Sequence, residues 1–204
     1  MDMDSSRQIE AVVIGASAGG VEALTMLLQA LPADFAPAVC AVIHLAPDGP
    51  GMLPQLLGRR CALPVKEAED KEAIEPGTVY FAVPDYHLLV EREKLLSLSR
   101  EEAVLFSRPS IDVLFESAAY AYRDRLLGII LTGANMDGAA GLEAVRTEGG
   151  LAWVQDPAEA QARAMPAAAI AQAGADLVLP LKDMALRLSR MTRSASNHQI
   201  DRNN

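Results

Sequence analysis

Continuous apolar runs alternate along the chain with longer stretches in which apolar residues recur every three or four positions. Such runs are typical of the buried strands of a parallel sheet, and the longer stretches are typical of the helices that cover it. The pattern predicts strands over 11–15, 39–44, 126–132 and 152–155, and helices over 20–30, 110–122, 138–148, 166–173 and 181–191. The predicted fold is therefore α/β, with a doubly wound, mostly parallel sheet and helices on both faces.

The pattern changes between residues 63 and 107. Short β-like segments at 78–83, 86–91 and 95–99 are separated by turn-forming or charged residues. We interpret them as a short antiparallel excursion at the edge of the main sheet and not as a second domain. Residues 1–9 and 194–204 are polar and lack periodicity. We therefore expect a flexible N-terminal segment, one folded domain over 10–193 and a flexible C-terminal tail.

Composition and charge exclude several classes of function for this protein. The chain has 204 residues, with 18 basic and 27 acidic side chains and a formal net charge of −9. That charge argues against a nucleic-acid partner, which would require a basic surface. No apolar run approaches the about 20 residues of a membrane span, and the N-terminus is too polar for a signal peptide. We expect a cytoplasmic protein with no membrane insertion.

Metal binding is also disfavoured by the sequence. The two cysteines, Cys40 and Cys61, lack the spacing of metal ligands, and the chain has only three histidines. Cys40 lies within an apolar run, where a thiol usually behaves as a small buried hydrophobic group. We therefore predict no metal site.

The most informative segment follows the first predicted strand. Residues 15–19, Gly-Ala-Ser-Ala-Gly, form a G-x-S-x-G pattern between a strand and a helix, which is the setting of a nucleophile elbow. Small neighbours permit a sharp turn that exposes the Ser17 hydroxyl, and the N-terminus of the next helix supplies N–H donors for an oxyanion. Two other interpretations stay open at this point: a glycine-rich turn that binds an anion, and a purely structural turn.

A serine nucleophile needs a base, and His44 is the best placed of the three histidines. It ends the second predicted strand, so it lies beside Ser17 if the two strands are neighbours; a hydrogen-bonded structural histidine is the alternative. His87 is a weaker candidate, and His198 in the tail is set aside. Asp137 follows a strand and a glycine-containing loop, where it either orients His44 or caps the next helix. Because all three candidates follow strands, one parallel sheet would bring them together.

These segments resemble the catalytic domain of the CheB chemotaxis protein-glutamate methylesterases. The matching motifs are IGASAGG (14–20), HLAP (44–47) and LTGANMDG (131–138), together with 65–70, 76–77, 80–87 and 108–115. They occur in order between residues 11 and 179. The resemblance implies that Ser17 is the nucleophile, that His44 is the general base and then acid, and that Asp137 orients His44. No metal or organic cofactor is implied.

The resemblance also implies a reaction and a partner. Family members remove methyl esters from receptor glutamates, and deamidate particular receptor glutamines, through an acyl-enzyme. The implied partner is the methylated cytoplasmic region of a chemoreceptor. Members commonly carry an N-terminal receiver domain, but the first strand here begins at residue 11. We therefore expect a catalytic domain without a receiver domain. It is either excised from a longer protein or a single-domain relative controlled by other means, such as a separate regulatory protein.

One departure from the family's sequence pattern and two alternative functions are kept open. The loop at 133–138 reads GANMDG where the family often has GMGNDG or a similar sequence, which affects substrate fit and oxyanion geometry. The alternatives to a hydrolase are a non-catalytic module that binds a signalling partner, and an anion- or nucleotide-binding flavodoxin-like protein. The second alternative assigns no role to His44 or Asp137. No chemical step is assigned to His87 or Arg108.

Overall fold

The computed structural model describes residues 8–44 and 53–191. Within these ranges strands alternate with helices, except between residues 65 and 99, where four strands follow one another. The strands are β1 Ala11–Ala16, β2 Ala38–Ile43, β3 Val65–Glu67, β4 Val79–Phe81, β5 His87–Val90, β6 Leu96–Ser99, β7 Leu126–Ile130, β8 Leu151–Gln155 and β9 Leu177–Leu179. The helices are α1 Gly20–Ala30, α2 Leu53–Gly58, α3 Ile111–Tyr122, α4 Ala139–Thr147, α5 Ala164–Ala173 and α6 Leu181–Leu188.

Seven of the strands form one parallel sheet in the order β3-β4-β2-β1-β7-β8-β9. β1 lies at its centre, paired with β2 on one side and β7 on the other. The direction in which successive strands are added reverses at β1. At such a point the carboxyl ends of the neighbouring strands form the crevice in which doubly wound sheets bind ligands.

Helices cover both faces of this sheet, so the central strands are buried on both sides. Val12 and Ile14 of β1 face the core formed with α1, α2 and α6, whereas Ala11 and Val13 face the core formed with α3, α4 and α5. This two-sided burial explains why β1 is a continuous apolar run and not an alternating one. The longest described helix, α3, has 12 residues, and none of the helices in the described ranges is long and apolar enough to cross a bilayer.

The predicted fold class is confirmed, and one part of the prediction for 63–107 is wrong. Residues 79–81 form β4, a parallel strand inside the main sheet between β2 and β3. Only β5 and β6 pair antiparallel, and they form a separate two-stranded sheet. The local pattern identified strands but held no information on their partners. Of the segments expected to be flexible, residues 1–7 and 194–204 lie outside the described residues, as does His198.

Candidate active site

Ser17 lies directly after β1, in a tight turn that leads into α1. Its backbone N–H donates to the Thr132 carbonyl at 2.9 Å, and its side chain is half-buried. Gly19 adopts the left-handed conformation, with φ of 77°. A Cβ atom there would lie 2.4 Å from Oε1 of Gln161, so both the backbone conformation and the available space require glycine.

The groups around the Ser17 hydroxyl are not engaged with the rest of the described structure. Ser17 Oγ makes no hydrogen bond to any residue within 8–44 or 53–191, and the N–H groups of Ala18 and Gly19 have no acceptor there either. A hydroxyl in this position can attack a carbonyl carbon, and N–H donors at a helix N-terminus can stabilise the oxyanion that forms.

His44 lies at the end of the neighbouring strand. Its N–H donates to the Ala16 carbonyl at 3.0 Å, which places it next to Ser17. The imidazole is 14% exposed, and its Nε2 lies 2.9 Å from Oδ2 of Asp137. Its Nδ1 lies 3.3 Å from Nδ2 of Asn135. The structure thus brings His44 and Asp137 together and places Ser17 beside them, without a hydrogen bond from Ser17 Oγ to the imidazole.

Asp137 is fully buried and holds a dense set of hydrogen bonds. Besides His44, it accepts the Ser110 hydroxyl at 2.8 Å and the N–H groups of Ile111 at 2.7 Å and Asp112 at 3.0 Å. Burial raises the pKa of Asp137, but the hydrogen bonds from His44, the two backbone N–H groups and Ser110 outweigh it and leave the pKa below its ordinary value. Asp137 is therefore a carboxylate at neutral pH.

Asp112, in the first turn of α3, binds the start of α4, just as Asp137, which precedes α4, binds the start of α3. Oδ1 of Asp112 accepts the N–H groups of Gly138 at 2.9 Å and Gly141 at 2.7 Å, at the start of α4, while Asp137 accepts N–H groups at the start of α3. The alternative that Asp137 caps the helix that follows it is therefore wrong, since it caps α3. Burial raises the pKa of Asp112 to about 6, and the nearby charge of Asp137 adds to the rise.

His87 and Arg108 have structural partners. His87 is buried; its Nδ1 accepts the Ser110 N–H and its Nε2 donates to the Glu102 carbonyl, each at 3.1 Å. Both ring nitrogens are therefore occupied by backbone groups, so His87 has no free lone pair for chemistry. Arg108 donates to Asp85 and to the carbonyl groups that precede it in the same loop. Both residues support the segment that leads to Ser110.

Thr132 is a site residue that the sequence reasoning missed. Its hydroxyl donates to the Ala18 carbonyl and accepts the Ala162 N–H, both at 2.8 Å, and so ties the turn at Ser17 to the loop before α5. No sequence signal distinguishes this threonine from others at strand ends. The roles of Ser110 and Asp112 were also missed, although both lie at a helix start that the sequence predicted.

Other features of the molecule lie apart from this site. In the part of the chain that the structure describes, no three His, Cys, Asp or Glu side chains come together as metal ligands would. Burial raises the pKa of the Cys40 thiol to about 12, so it is no nucleophile. Surface cavities of about 380 and 400 Å³ lie between α3 and α4 and between α1 and α2, and neither is lined by Ser17, His44 or Asp137.

Comparison with known proteins identifies related sequences and a related structure. The family model described as CheB methylesterase matches residues 12–188. A Leptospira interrogans protein named as a candidate protein-glutamate methylesterase/protein-glutamine glutaminase is 47% identical over 185 residues, which cover 91% of this chain and 96% of that protein. Protein-glutamate methylesterase/protein-glutamine glutaminase 1 of Cupriavidus pinatubonensis is 44% identical over 87% of this chain and 52% of its own length.

The chain therefore spans nearly all of the first relative and about half of the second. The crystal structure of the Thermotoga maritima CheB methylesterase catalytic domain matches with a TM-score of 0.85 and 33% sequence identity. The match covers 90% of this chain and 99% of that domain. The sequence and structural likenesses thus extend over the same region that contains the site.

Proposed function

Because the chain belongs to the CheB methylesterase family, we propose that it hydrolyses the methyl esters of glutamate side chains in a protein substrate. Ser17 is the nucleophile, His44 the general base and then acid, and Asp137 the residue that orients His44. The observation that carries this proposal is the 2.9 Å contact between His44 Nε2 and a buried Asp137 carboxylate, one strand away from a serine hydroxyl that has no hydrogen bond to any described residue. These are the three roles of a serine-hydrolase triad.

The first half of the reaction forms an acyl-enzyme. Ser17 Oγ attacks the ester carbonyl carbon, and its proton passes to Nδ1 of His44, because Nε2 is turned toward Asp137. The N–H groups of Ala18 and Gly19 donate to the oxyanion of the tetrahedral intermediate. The intermediate collapses when the bond to the methoxy oxygen breaks. His44 returns the proton to that oxygen, and methanol leaves.

The second half regenerates the serine. Water attacks the acyl carbon while His44 takes one of its protons, and the proton then returns to Ser17 Oγ as the acyl bond breaks. The product is an unmodified glutamate. Asp137 stays ionised and stabilises the imidazolium formed in each half. A glutamine side chain would follow the same steps, with ammonia leaving in place of methanol.

The substrate that fits this proposal is the methylated cytoplasmic region of a chemoreceptor, which places the reaction in the cytoplasm. Both curated relatives described above are named for action on protein glutamate and protein glutamine. The anion-binding and partner-binding alternatives account for the Ser17 turn, but they give no reason for a buried carboxylate that orients an imidazole. The hydrolase proposal accounts for all three residues.

The proposal is tested by methanol release from a receptor fragment that carries radiolabelled methyl esters. We expect release by the unaltered protein and a loss of about 10⁴-fold or more for Ser17→Ala. Ser189→Ala is the matched control, because Ser189 follows α6 and, among the described residues, its hydroxyl bonds the Leu186 carbonyl alone. That variant should keep full activity. Equal release by the unaltered protein and Ser17→Ala would refute the assignment of the nucleophile.

A further inference from the structure

A closed set of hydrogen bonds joins Asn135, His44 and Asp137. Oδ1 of Asn135 lies 3.2 Å from the Asp137 N–H, which it accepts. An N–H donor requires an oxygen, so the amide of Asn135 has one orientation, and its Nδ2 is the atom that lies 3.3 Å from Nδ1 of His44. Asn135 therefore offers a donor to the imidazole.

This donor determines which nitrogen of His44 carries the proton. Nδ1 faces an N–H group, so it must present its lone pair. The single N–H of the neutral ring is then on Nε2, where it donates to Oδ2 of Asp137. Asn135 and Asp137 thus select the same tautomer from opposite sides of the ring, and Nδ1 is the only basic atom that His44 has left.

That basic atom is already occupied. Ser17 Oγ has no hydrogen-bond partner among the described residues, whereas Nδ1, which must take its proton, accepts from Asn135. We propose that Asn135 caps the proton-accepting nitrogen of His44 in the substrate-free protein, and that the Ser17 hydroxyl must displace this cap before the reaction starts. The role of Nδ1 as the acceptor of the serine proton rests on the function proposed above; the cap itself does not.

The cap favours the resting state over the reacting one. Once Nδ1 carries a proton, an N–H on the ring faces the N–H groups of the Asn135 amide, and two donors repel each other. An interaction that stabilises only the ground state slows the chemical step. Displacement has space to occur, because Asn135 is half-buried and its neighbours Ala134 and Met136 are exposed. Asn135 is therefore a positioning residue that restrains the base.

Three variants distinguish the hydrogen bond from Asn135 to His44, which is the cap, from the hydrogen bond between Asn135 and the Asp137 N–H, which holds the turn. In Asn135→Ser the hydroxyl can still accept the Asp137 N–H, as serine does in similar turns, but it is too short to reach His44. In Asn135→Asp the shape and the accepted N–H are kept, while the donor becomes an acceptor that holds a proton on Nδ1. Ser17→Ala leaves the cap intact and removes only the hydroxyl.

The first measurement is the ¹⁵N chemical shift of the His44 ring nitrogens in the substrate-free protein. We expect Nδ1 to resonate as an unprotonated, hydrogen-bonded nitrogen, to move in Asn135→Ser, and to stay in place in Ser17→Ala. If Ser17→Ala moves the Nδ1 resonance and Asn135→Ser does not, Ser17 occupies the lone pair and the proposal is wrong. This readout needs no turnover, so it decides on the cap even if the proposed hydrolysis fails.

The second measurement is the rate at which a fluorophosphonate labels Ser17 at pH 7. Asn135→Ser should react roughly twofold to tenfold faster than the unaltered protein, as expected from losing one neutral hydrogen bond. Asn135→Asp should react more slowly, because its base is protonated. If both variants are slowed while they remain folded by circular dichroism, Asn135 supports the reaction instead of restraining it, and the proposal is overturned. No labelling of the unaltered protein would count against the nucleophile and not against the cap.

Discussion

The carboxylate of Asp137 and the hydroxyl of Ser17 lie at the same edge of the sheet with opposite sets of partners. Asp137 is fully buried and accepts four hydrogen bonds, from His44, the Ser110 hydroxyl and two N–H groups of α3. Ser17 is half-buried, and its Oγ has no hydrogen bond within the described ranges. The protein itself supplies four donors to one group, and none of the described residues supplies a partner to the other.

This difference separates two tasks of the site. Folding itself orients His44, the proposed base, because the partners of Asp137 belong to the packing of α3 against α4 and β7. Such orientation in advance lowers the reorganisation needed during reaction. The Ser17 hydroxyl, the proposed nucleophile, makes no hydrogen bond to this part of the structure or to any other described residue. Substitutions of Asp137 should therefore lower both activity and stability, whereas substitutions of Ser17 should lower activity alone.

Asp137→Asn should show the largest combined effect. The amide keeps the shape but loses the charge, so His44 loses its orienting acceptor, and activity should fall about 10⁴-fold. Oδ2 accepts from Ile111 and His44 and Oδ1 accepts from the Asp112 N–H, so at least one of these donors faces the NH₂ group in either orientation of the amide. This loss of an acceptor should lower the free energy of unfolding by about 1–3 kcal/mol. Methanol release and urea unfolding at pH 7 measure the two effects. Ser17→Ala is the control, with a similar loss of activity and a stability change within about 0.5 kcal/mol.

The stability of Asp137→Asn relative to the unaltered protein should also depend on pH. The folded-state pKa of Asp137 lies below its ordinary value of 3.8, so the carboxylate contributes stability above that value and loses it as the pH falls. The stability difference between the unaltered protein and Asp137→Asn should therefore be largest near neutral pH and shrink below about pH 4. A difference that grows on acidification would contradict the assignment of Asp137 as a buried carboxylate.

His87→Leu should give the next largest effect, on stability alone. The substitution leaves the buried Ser110 N–H and the Glu102 carbonyl without their partners, at a cost of about 2–3 kcal/mol. Activity at a temperature where the variant is folded should stay within about threefold, because His87 reaches Asp137 only through Ser110. His87→Asn, which keeps an acceptor for the Ser110 N–H, should recover part of the stability. A loss of activity near that of Asp137→Asn would show that His87 acts in the chemistry.

The contrast between Ser17 and Asp137 also explains what the sequence could predict. Ser17, His44 and Asp137 each follow a buried strand, and continuous apolar runs reveal such strands, so the sequence pattern is enough to predict that these three residues share one edge of the sheet. The partners of Asp137 were not, because Ser110 and Asp112 reach it through the packing of α3 against the loop after β7. That contact joins segments about 25 residues apart and has no local signal.

The strands at the edge of the sheet also show that a local sequence pattern does not predict which segments pair. The sequence pattern predicts a strand at β4 but places it in an antiparallel excursion, because the parallel pairing of β4 with β2 and β3 depends on the whole topology. β3 is half-exposed and only 3 residues long, so it lacks the apolar run by which the central strands were found. Predictions from pattern were therefore most accurate where burial is two-sided, which is also where the site lies.

Asp112→Asn should have the smallest effect on stability, and it should stabilise the protein where the other substitutions destabilise it. The folded-state pKa of Asp112 is raised to about 6, mainly by burial, so its stabilising contribution is complete below about pH 4 and is lost as the pH rises through 6. The amide keeps an oxygen for the N–H groups of Gly138 and Gly141 but carries no charge. At pH 8 the variant should be more stable by about 1 kcal/mol, a rise in melting temperature of roughly 2–4 °C.

The control for this prediction is Asp112→Ala, which removes the acceptor together with the charge. It should be less stable than the unaltered protein at every pH, since Gly138 and Gly141 lose the oxygen that caps α4. Thermal unfolding at pH 4, 6 and 8 distinguishes the two substitutions. If Asp112→Asn is destabilised at pH 8 as much as Asp112→Ala, the charge of Asp112 is needed for the cap. Asp112 would then resemble Asp137, and the reciprocal caps of α3 and α4 would both depend on ionised carboxylates.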